Sequence, residues 1–132
     1  MSGPVSYHRD ESIAVIIMDD GKVNALGPGM LAEIGQAFDQ AEADGAGAVV
    51  IAGNHRVFSG GFDLKVFRSG DAQASIDMLK AGFELSHRLL SFPKPVVSAI
   101  TGISFDGARP GYAGSAPAPG RDNDEILGPA PQ

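Results

Sequence analysis

The stretch that decides the fold reads Val57-Phe58-Ser59-Gly60-Gly61-Phe62-Asp63-Leu64-Lys65. It follows the apolar run at residues 48–52, which is typical of a buried strand, and it precedes a helical pattern. Paired glycines let the backbone turn sharply and approach a ligand closely. Successive backbone N–H groups at the start of a helix can point at an anionic or polarised oxygen. The stretch therefore predicts either an ordinary strand-to-helix turn or a backbone oxyanion hole.

Strand-like runs occur on both sides of this stretch. Four of them predict strands, at residues 5–8, 13–18, 48–52 and 96–100. A turn at Asp10-Glu11-Ser12 joins the first two runs, which predicts a hairpin. The run at 13–18 is nearly all apolar, and this predicts a strand that is covered on both faces.

Two longer runs have helical spacing. The first begins at Pro28, ends at Asp44-Gly45 and has one apolar stripe, formed by Leu31, Ile34, Phe38 and Ala41. The second extends from about residue 71 to residue 90, with Asp71 as its N-cap and an apolar stripe formed by Ile76, Leu79, Phe83 and Leu90. Strands that alternate with helices indicate an α/β fold.

Composition excludes several classes of protein. The chain has 132 residues, enough for one domain, and a formal net charge of −6 with scattered basic residues, which argues against nucleic-acid binding. It has no cysteine, so disulfides and thiolate catalysis are excluded. No apolar run is long enough for a membrane span, and the N-terminus lacks the pattern of a signal peptide. No cluster of His, Asp and Glu has the spacing of metal ligands. We expect a cytoplasmic protein without a membrane or nucleic-acid partner.

Four blocks of the sequence resemble the crotonase (enoyl-CoA hydratase/isomerase) superfamily. They have the order and spacing of the family and read Val23-Asn24-Ala25-Leu26, Val49-Val50-Ile51-Ala52-Gly53, Phe58-Ser59-Gly60-Gly61-Phe62-Asp63-Leu64 and Pro93-Lys94-Pro95-Val96-Val97-Ser98-Ala99-Ile100-Thr101-Gly102. The resemblance implies a crotonase-like ββα superhelix, of which residues 1–102 are a partial, truncated acyl-CoA-binding domain. It also implies a coenzyme A thioester as substrate, no separate cofactor, and a possible homotrimer.

The resemblance also implies roles for single residues. Phe62, after the last glycine of the loop, would donate its N–H to the oxyanion of a thioester enolate. The acyl-CoA site would be lined by Gly61, Phe62, Asp63, Leu64 and Lys65, and the adenine and pantetheine side of CoA would be met by Val23, Ala25 and Leu26. Simpler alternatives stay open: plain strand packing for residues 23–26, a helix cap for Asp63 and a solvated side chain for Lys65.

The resemblance weakens after Gly102. Gly107 has the spacing of the second oxyanion donor, but it is also one of five glycines, beside five prolines, in residues 103–132. Pro110 stands where hydratases place their first catalytic carboxylate, and proline can neither ionise nor lie inside a helix. We expect residues 103–132 to be a flexible, disordered tail outside the family domain. Within it, residues 116–127 are faintly similar to the closing segment of family III CoA-transferases.

Two functions follow from these patterns. The first is an acyl-CoA-binding protein of the family, related to hydratases, isomerases and thioesterases, with catalysis impaired by the missing carboxylates. The second is a non-catalytic remnant that acts only as a binding or oligomerisation module.

Overall fold

A computed structural model describes residues 3–100 of the chain. Within this range the elements are β1 Val5–Asp10, β2 Ile13–Met18, α1 Pro28–Ala43, β3 Ala48–Ala52, α2 Leu64–Arg68, α3 Ala72–Ser91 and β4 Val96–Ala99. The predicted α/β fold, its four strands and its two long helices are confirmed. The expected tail at 103–132, with Gly107 and Pro110, lies outside the described residues.

The four strands form one mixed sheet in the order β1-β2-β3-β4. β1 and β2 pair antiparallel as the expected hairpin, whereas β3 runs parallel to β2 and β4 runs parallel to β3. Parallel neighbours need crossover connections. α1 lies in the first crossover, and α2 and α3 lie in the second. Residues 57–65 therefore sit in the second crossover, just beyond the carboxyl end of β3.

The core lies between α1 and one face of the sheet. The predicted stripe of α1 is buried, with Phe38 and Ile34 at most 1% exposed, and it packs with Ile16 and Val49 of the sheet. Burying one such side chain stabilises the fold by about 1.5–3 kcal/mol. This packing fixes β2 and β3, and the loops that follow these two strands carry the candidate site.

The expectation that β2 is covered on both faces is wrong for the part of the chain that the structure describes. Ala14, Ile16 and Met18 are buried, whereas Ile13 is 38% exposed and the other outward residues are only half-buried. α1 packs against the first face. The apolar run at residues 13–18 does not by itself indicate which segment of the chain covers the second face of the strand.

The predicted apolar stripe of α3 is also wrong. Ile76, Phe83 and Leu90 are 57%, 69% and 89% exposed. α3 instead buries Met78 and Gly82, with Leu85 and Leu89 packed against the core. The helix has apolar side chains on two faces, and periodicity alone does not tell which face meets α1.

Candidate functional site

The site begins with a loop that folds back over the end of β3. Gly53 permits this close approach, because a Cβ at this position would overlap the carbonyl oxygen of Val57 and the backbone of Phe58. Asn54 Oδ1 accepts hydrogen bonds from the N–H groups of Arg56 and Val57, both at 2.9 Å. The loop is thereby closed on itself before it reaches the paired glycines.

Asn24 joins this loop to the segment that follows β2. Its side chain is fully buried, and Nδ2 donates to the carbonyl oxygens of Met18, Phe58 and Val57 at 2.9, 3.1 and 3.3 Å. Oδ1 accepts a hydrogen bond from the N–H of Asp20 at 3.0 Å. The residue adopts φ of +52°, a left-handed conformation that asparagine tolerates better than most residues. One side chain therefore holds both segments of the site in register.

Ser59 and Gly60 extend the same connection. Ser59 Oγ donates to the carbonyl oxygen of Asn24 at 2.8 Å and accepts from the N–H of Gly61 at 3.1 Å. The N–H of Gly60 donates to the carbonyl oxygen of Val23 at 2.7 Å. Gly61 then takes φ of +88°, which a β-branched residue would adopt only with strain. These bonds give Ser59 a structural role in the turn.

Phe62 forms a parallel bridge with Leu26. The N–H of Leu26 donates to the carbonyl oxygen of Gly61 at 2.8 Å, and the N–H of Asp63 donates to the carbonyl oxygen of Leu26 at 3.3 Å. Because these bonds use the peptide groups on either side of Phe62, its own N–H points away from Leu26. Within residues 3–100, this N–H has no hydrogen-bond partner. A backbone N–H of this kind, without a partner among the described residues, can donate to a polarised or anionic oxygen.

A cleft of about 520 Å³, here called the Phe62 cleft, opens beside this turn. It is lined by Asp20, Lys22, Val23, Ala25, Gly60, Gly61, Phe62, Asp63, Leu64, Lys65 and Arg68. Seven of the residues predicted for the acyl-CoA site are therefore brought together here. Leu26 is not among them, because its side chain packs against the hydrophobic core. Gly107 lies outside the described residues.

The two carboxylates of the cleft are occupied by backbone donors. Asp63 caps α2, because its side chain accepts a hydrogen bond from the N–H of Lys65 at 2.9 Å. This is the helix cap that the sequence offered as an alternative role for Asp63. Asp20 accepts the N–H groups of Lys22, Asn24 and Ala25. Burial alone would raise the pKa of Asp20, but these three bonds, together with the charge of Lys22, hold it below its usual value of 3.8. An Asp20 carboxylate in this state is a weak proton acceptor at neutral pH.

Three cations give the cleft a basic rim. Lys22 belongs to the loop after β2, whereas Lys65 and Arg68 lie on α2. None of the ion pairs within residues 3–100 involves these three side chains. The cleft is therefore locally cationic in a chain whose net charge is −6.

Several of these residues were absent from the sequence-based prediction. Arg68 lies three positions after Lys65, a spacing that places both on one helix face, and Lys22 directly precedes Val23. Gly60 lies within the quoted motif, but its contact with Val23 is a tertiary one. For Asn24 the local sequence carries no signal that would identify its three carbonyl partners.

The described residues contain neither a candidate metal centre nor a candidate membrane span. Between residues 3 and 100, no group of three or more His, Cys, Asp or Glu side chains is arranged to hold a metal ion. No helix in the same range has the length and apolarity needed to cross a membrane.

The sequence model of the enoyl-CoA hydratase/isomerase family matches residues 8–109. The chain is 36% identical over 106 residues to a probable enoyl-CoA hydratase of Bacillus subtilis strain 168, a match that covers 78% of this chain and 41% of the relative.

Solved structures show the same likeness. The crystal structure of a probable enoyl-CoA hydratase from Mycobacterium tuberculosis H37Rv has 64% identity and a TM-score of 0.73, covering 74% of this chain and 42% of that one. An apo structure described as an enoyl-CoA isomerase of Mycobacterium tuberculosis has 63% identity and a TM-score of 0.71, covering 76% of this chain and 43% of that one. These likenesses confirm the crotonase-like fold. The chain spans about two fifths of the length of the relatives that it matches.

Proposed function

The chain belongs to the enoyl-CoA hydratase/isomerase family, and on this basis we propose that it binds an acyl-CoA thioester in the Phe62 cleft. The observation that carries the proposal is the N–H of Phe62 at this cleft, which has no hydrogen-bond partner within residues 3–100. A thioester carbonyl oxygen placed against this donor becomes polarised, and an enolate oxygen is stabilised further because it carries more negative charge. No cofactor besides the CoA thioester itself is required for this step.

A second donor is proposed at Gly107. The family match extends to residue 109 and so includes this glycine, which supports the assignment. Two converging N–H groups stabilise an oxyanion better than one, and a single donor typically contributes about 2.7–4 kcal/mol to transition-state stabilisation.

The CoA moiety is proposed to follow the rim of the cleft. Lys22, Lys65 and Arg68 form no ion pair within residues 3–100 and line the cleft, so they can pair with the phosphates of CoA. Val23 and Ala25 offer apolar contact for the adenine and pantetheine groups. Leu26 contributes through its backbone bonds to Gly61 and Asp63, which hold Phe62 in place.

Catalysis of hydration is proposed to be negligible. Hydration needs a carboxylate that activates water and a group that protonates carbon, and losing such a group costs about 10²–10⁴-fold in rate. Asp20 and Asp63 are held by backbone N–H groups, and Pro110 stands where hydratases place the first acid. Glu84 lines a different groove, between α1 and α3, and its carboxylate lies 3.9 Å from Lys80 Nζ.

Binding is tested by titrating crotonyl-CoA and free CoA into the purified chain and into Gly61→Val, with heat as the readout. Gly61 has φ of +88° and lines the cleft, so valine strains the turn and fills the space beside Phe62. Thioester affinity should fall at least tenfold. The control is Gly45→Val, which imposes the same kind of strain at φ of +61° but lies after α1, away from the cleft. Equal thioester affinity in all three proteins would refute the assignment.

Catalysis is tested by following the absorbance of crotonyl-CoA with the purified chain. We expect the rate to equal that of buffer even when the thioester binds. A protein-dependent loss of absorbance that disappears in Gly61→Val would contradict this expectation. Glu84→Gln and Asp106→Asn would then be the variants to test for the base, since Asp106 directly precedes the proposed donor Gly107 in the sequence.

The second candidate function is a module that associates with other subunits without binding CoA. The exposed side chains of Ile76, Phe83 and Leu90 on α3 favour it, because contiguous exposed apolar surface marks interaction sites. Sedimentation of the chain, with and without crotonyl-CoA, distinguishes the candidates. Concentration-dependent association without any thioester binding would support this function against the first, and the family resemblance makes a homotrimer the assembly to test.

A further inference from the structure

Gly82 occupies an unfavourable position for a glycine, in the middle of the 20-residue helix α3. A glycine inside a helix costs about 1 kcal/mol relative to alanine. Here the residue is buried, and the ring of Phe62 lies directly against its α-carbon. A Cβ at this position would overlap Phe62 Cε1 and lie 2.5 Å from Cζ. Carbon atoms pack at about 3.5–4.0 Å, so the ring and an added methyl group cannot share this space.

The other glycines inside the long helices lack such a neighbour. Gly29 and Gly35 belong to α1, and nothing lies within 4 Å of the point where their Cβ atoms would be. Gly82 therefore differs from them by a specific tertiary contact with the residue that donates to the Phe62 cleft.

The Phe62 ring has an aromatic neighbour besides α3. On another side it meets the ring of Phe67, with centroids 6.5 Å apart and planes at 79°, an edge-to-face arrangement. The peptide groups that flank Phe62 are bonded to Leu26. A ring pushed away from α3 moves either toward Phe67 or into the cleft that it lines, and both movements change the surroundings of the Phe62 N–H.

We propose that Gly82 is a positioning residue for the oxyanion donor. Its missing side chain lets the Phe62 ring rest on α3, and this contact keeps in place the bridge to Leu26 that directs the Phe62 N–H into the cleft. The inference rests on the proposed function of the Phe62 N–H. It adds Gly82 of α3, twenty residues after Phe62 in the sequence, as a residue that controls the geometry of this donor.

The first test compares Gly82→Ala with Gly35→Ala, since both gain helix propensity and only the former meets Phe62. In ¹⁵N-labelled protein, the amide resonance of Phe62 should shift clearly in Gly82→Ala and stay in place in Gly35→Ala. The ratio of crotonyl-CoA affinity to free CoA affinity should fall about tenfold in Gly82→Ala alone, because free CoA has no thioester carbonyl to meet the N–H. A Phe62 amide unmoved by Gly82→Ala would overturn the proposal.

A second variant keeps the proposal testable if Gly82→Ala folds poorly. Phe62→Leu retains the backbone N–H and removes the part of the ring that the new methyl group would meet. Combined with Gly82→Ala it should recover both stability and thioester preference, and a failure to recover either would overturn the proposal. The tests also separate the two hypotheses. If the wild-type chain binds CoA and its thioester equally, the proposed function fails, whereas the Phe62 resonance still reports whether Gly82 positions that residue.

Discussion

At the residue scale, polar side chains rather than regular secondary structure hold the candidate site together. Asn24 bonds to Val57 and Phe58, which are 33 and 34 residues away in the sequence. Asp20 and Ser59 bond to backbone groups of the same two segments. The backbone groups of these loops have few ladder partners, and in a folded chain such groups need partners from side chains.

Asn24→Ala should lower the free energy of unfolding by about 2–4 kcal/mol. The substitution leaves buried carbonyl oxygens without a donor, at about 1–3 kcal/mol for an unsatisfied group, and alanine tolerates positive φ poorly. Urea denaturation measures the loss. Gln36→Ala, on the exposed face of α1, is the control and should change stability by less than about 0.5 kcal/mol. If Asn24→Ala also lowers the free energy of unfolding by less than about 0.5 kcal/mol, water or another side chain must replace the hydrogen bonds of the amide.

Asp20 should make stability depend on pH in the acid range. The pKa of Asp20 in the folded chain lies below 3.8, its value in the unfolded chain. The ionised carboxylate therefore stabilises the folded state fully when the pH is above the unfolded-state pKa. This stabilisation is lost as the pH falls through the folded-state pKa. The free energy of unfolding, measured by urea titration between pH 7 and pH 2.5, should therefore decline below pH 3.8 more steeply in the wild-type chain than in Asp20→Asn. Asp10→Asn, at an exposed position of β1, serves as control. Parallel curves for wild type and Asp20→Asn would count against this role.

At the scale of elements, α3 presents two different apolar faces. One face contains the buried residues Met78 and Gly82, of which Gly82 lies against the Phe62 ring. The other face carries Phe83 and Leu90 in exposed positions. The helix therefore connects the core to the cleft, while its second face is uncovered within the described residues.

Met78→Ala and Phe83→Ala should have opposite outcomes on α3. Met78 is 1% exposed, so its truncation leaves a cavity and should cost about 2–5 kcal/mol. Phe83 is 69% exposed, and its truncation should change stability by no more than about 0.5 kcal/mol. Thermal or urea denaturation of the pair measures both effects. A large loss for Phe83→Ala would mean that a segment outside residues 3–100, or another subunit, packs on this face.

At the scale of the whole molecule, the described residues leave considerable apolar surface open. The large exposed hydrophobic side chains include Phe83 and Leu90 of α3 and Val97 and Ile100 at the end of β4. Exposed large apolar side chains that cluster together often mark surfaces on which another polypeptide segment packs.

The native chain should therefore enhance the fluorescence of an apolar dye such as ANS. The double variant Phe83→Lys/Leu90→Lys should enhance it less, because two of the most exposed apolar side chains become charged. Urea denaturation of the same variant checks that it remains folded. Equal dye fluorescence in the two proteins would show that this face is covered in solution.

Much of the fold was predictable because its signals are local. The hairpin, the stripe of α1, the Asp71 cap and the strands that flank the motif all depend on residues close to one another in the chain. Periodicity, capping and turn chemistry act over one or two turns, so a single sequence records them. Most of the predicted site residues line one cleft because they are consecutive residues of the motif at 57–65.

The rest was decided by tertiary structure. Only the packing of α3 against the rest of the fold selects Met78 and Gly82, rather than Ile76 and Phe83, as its buried residues. The bridge between Phe62 and Leu26 directs the Phe62 N–H, and this bridge spans 36 positions of the sequence. The contact of the Phe62 ring with Gly82 likewise joins two elements. Such contacts form between segments that are far apart in the sequence, and the local signals of one segment carry no information about the other. The sequence by itself therefore determined the helices, the strands and the motif. The tertiary structure determined the direction of the Phe62 N–H.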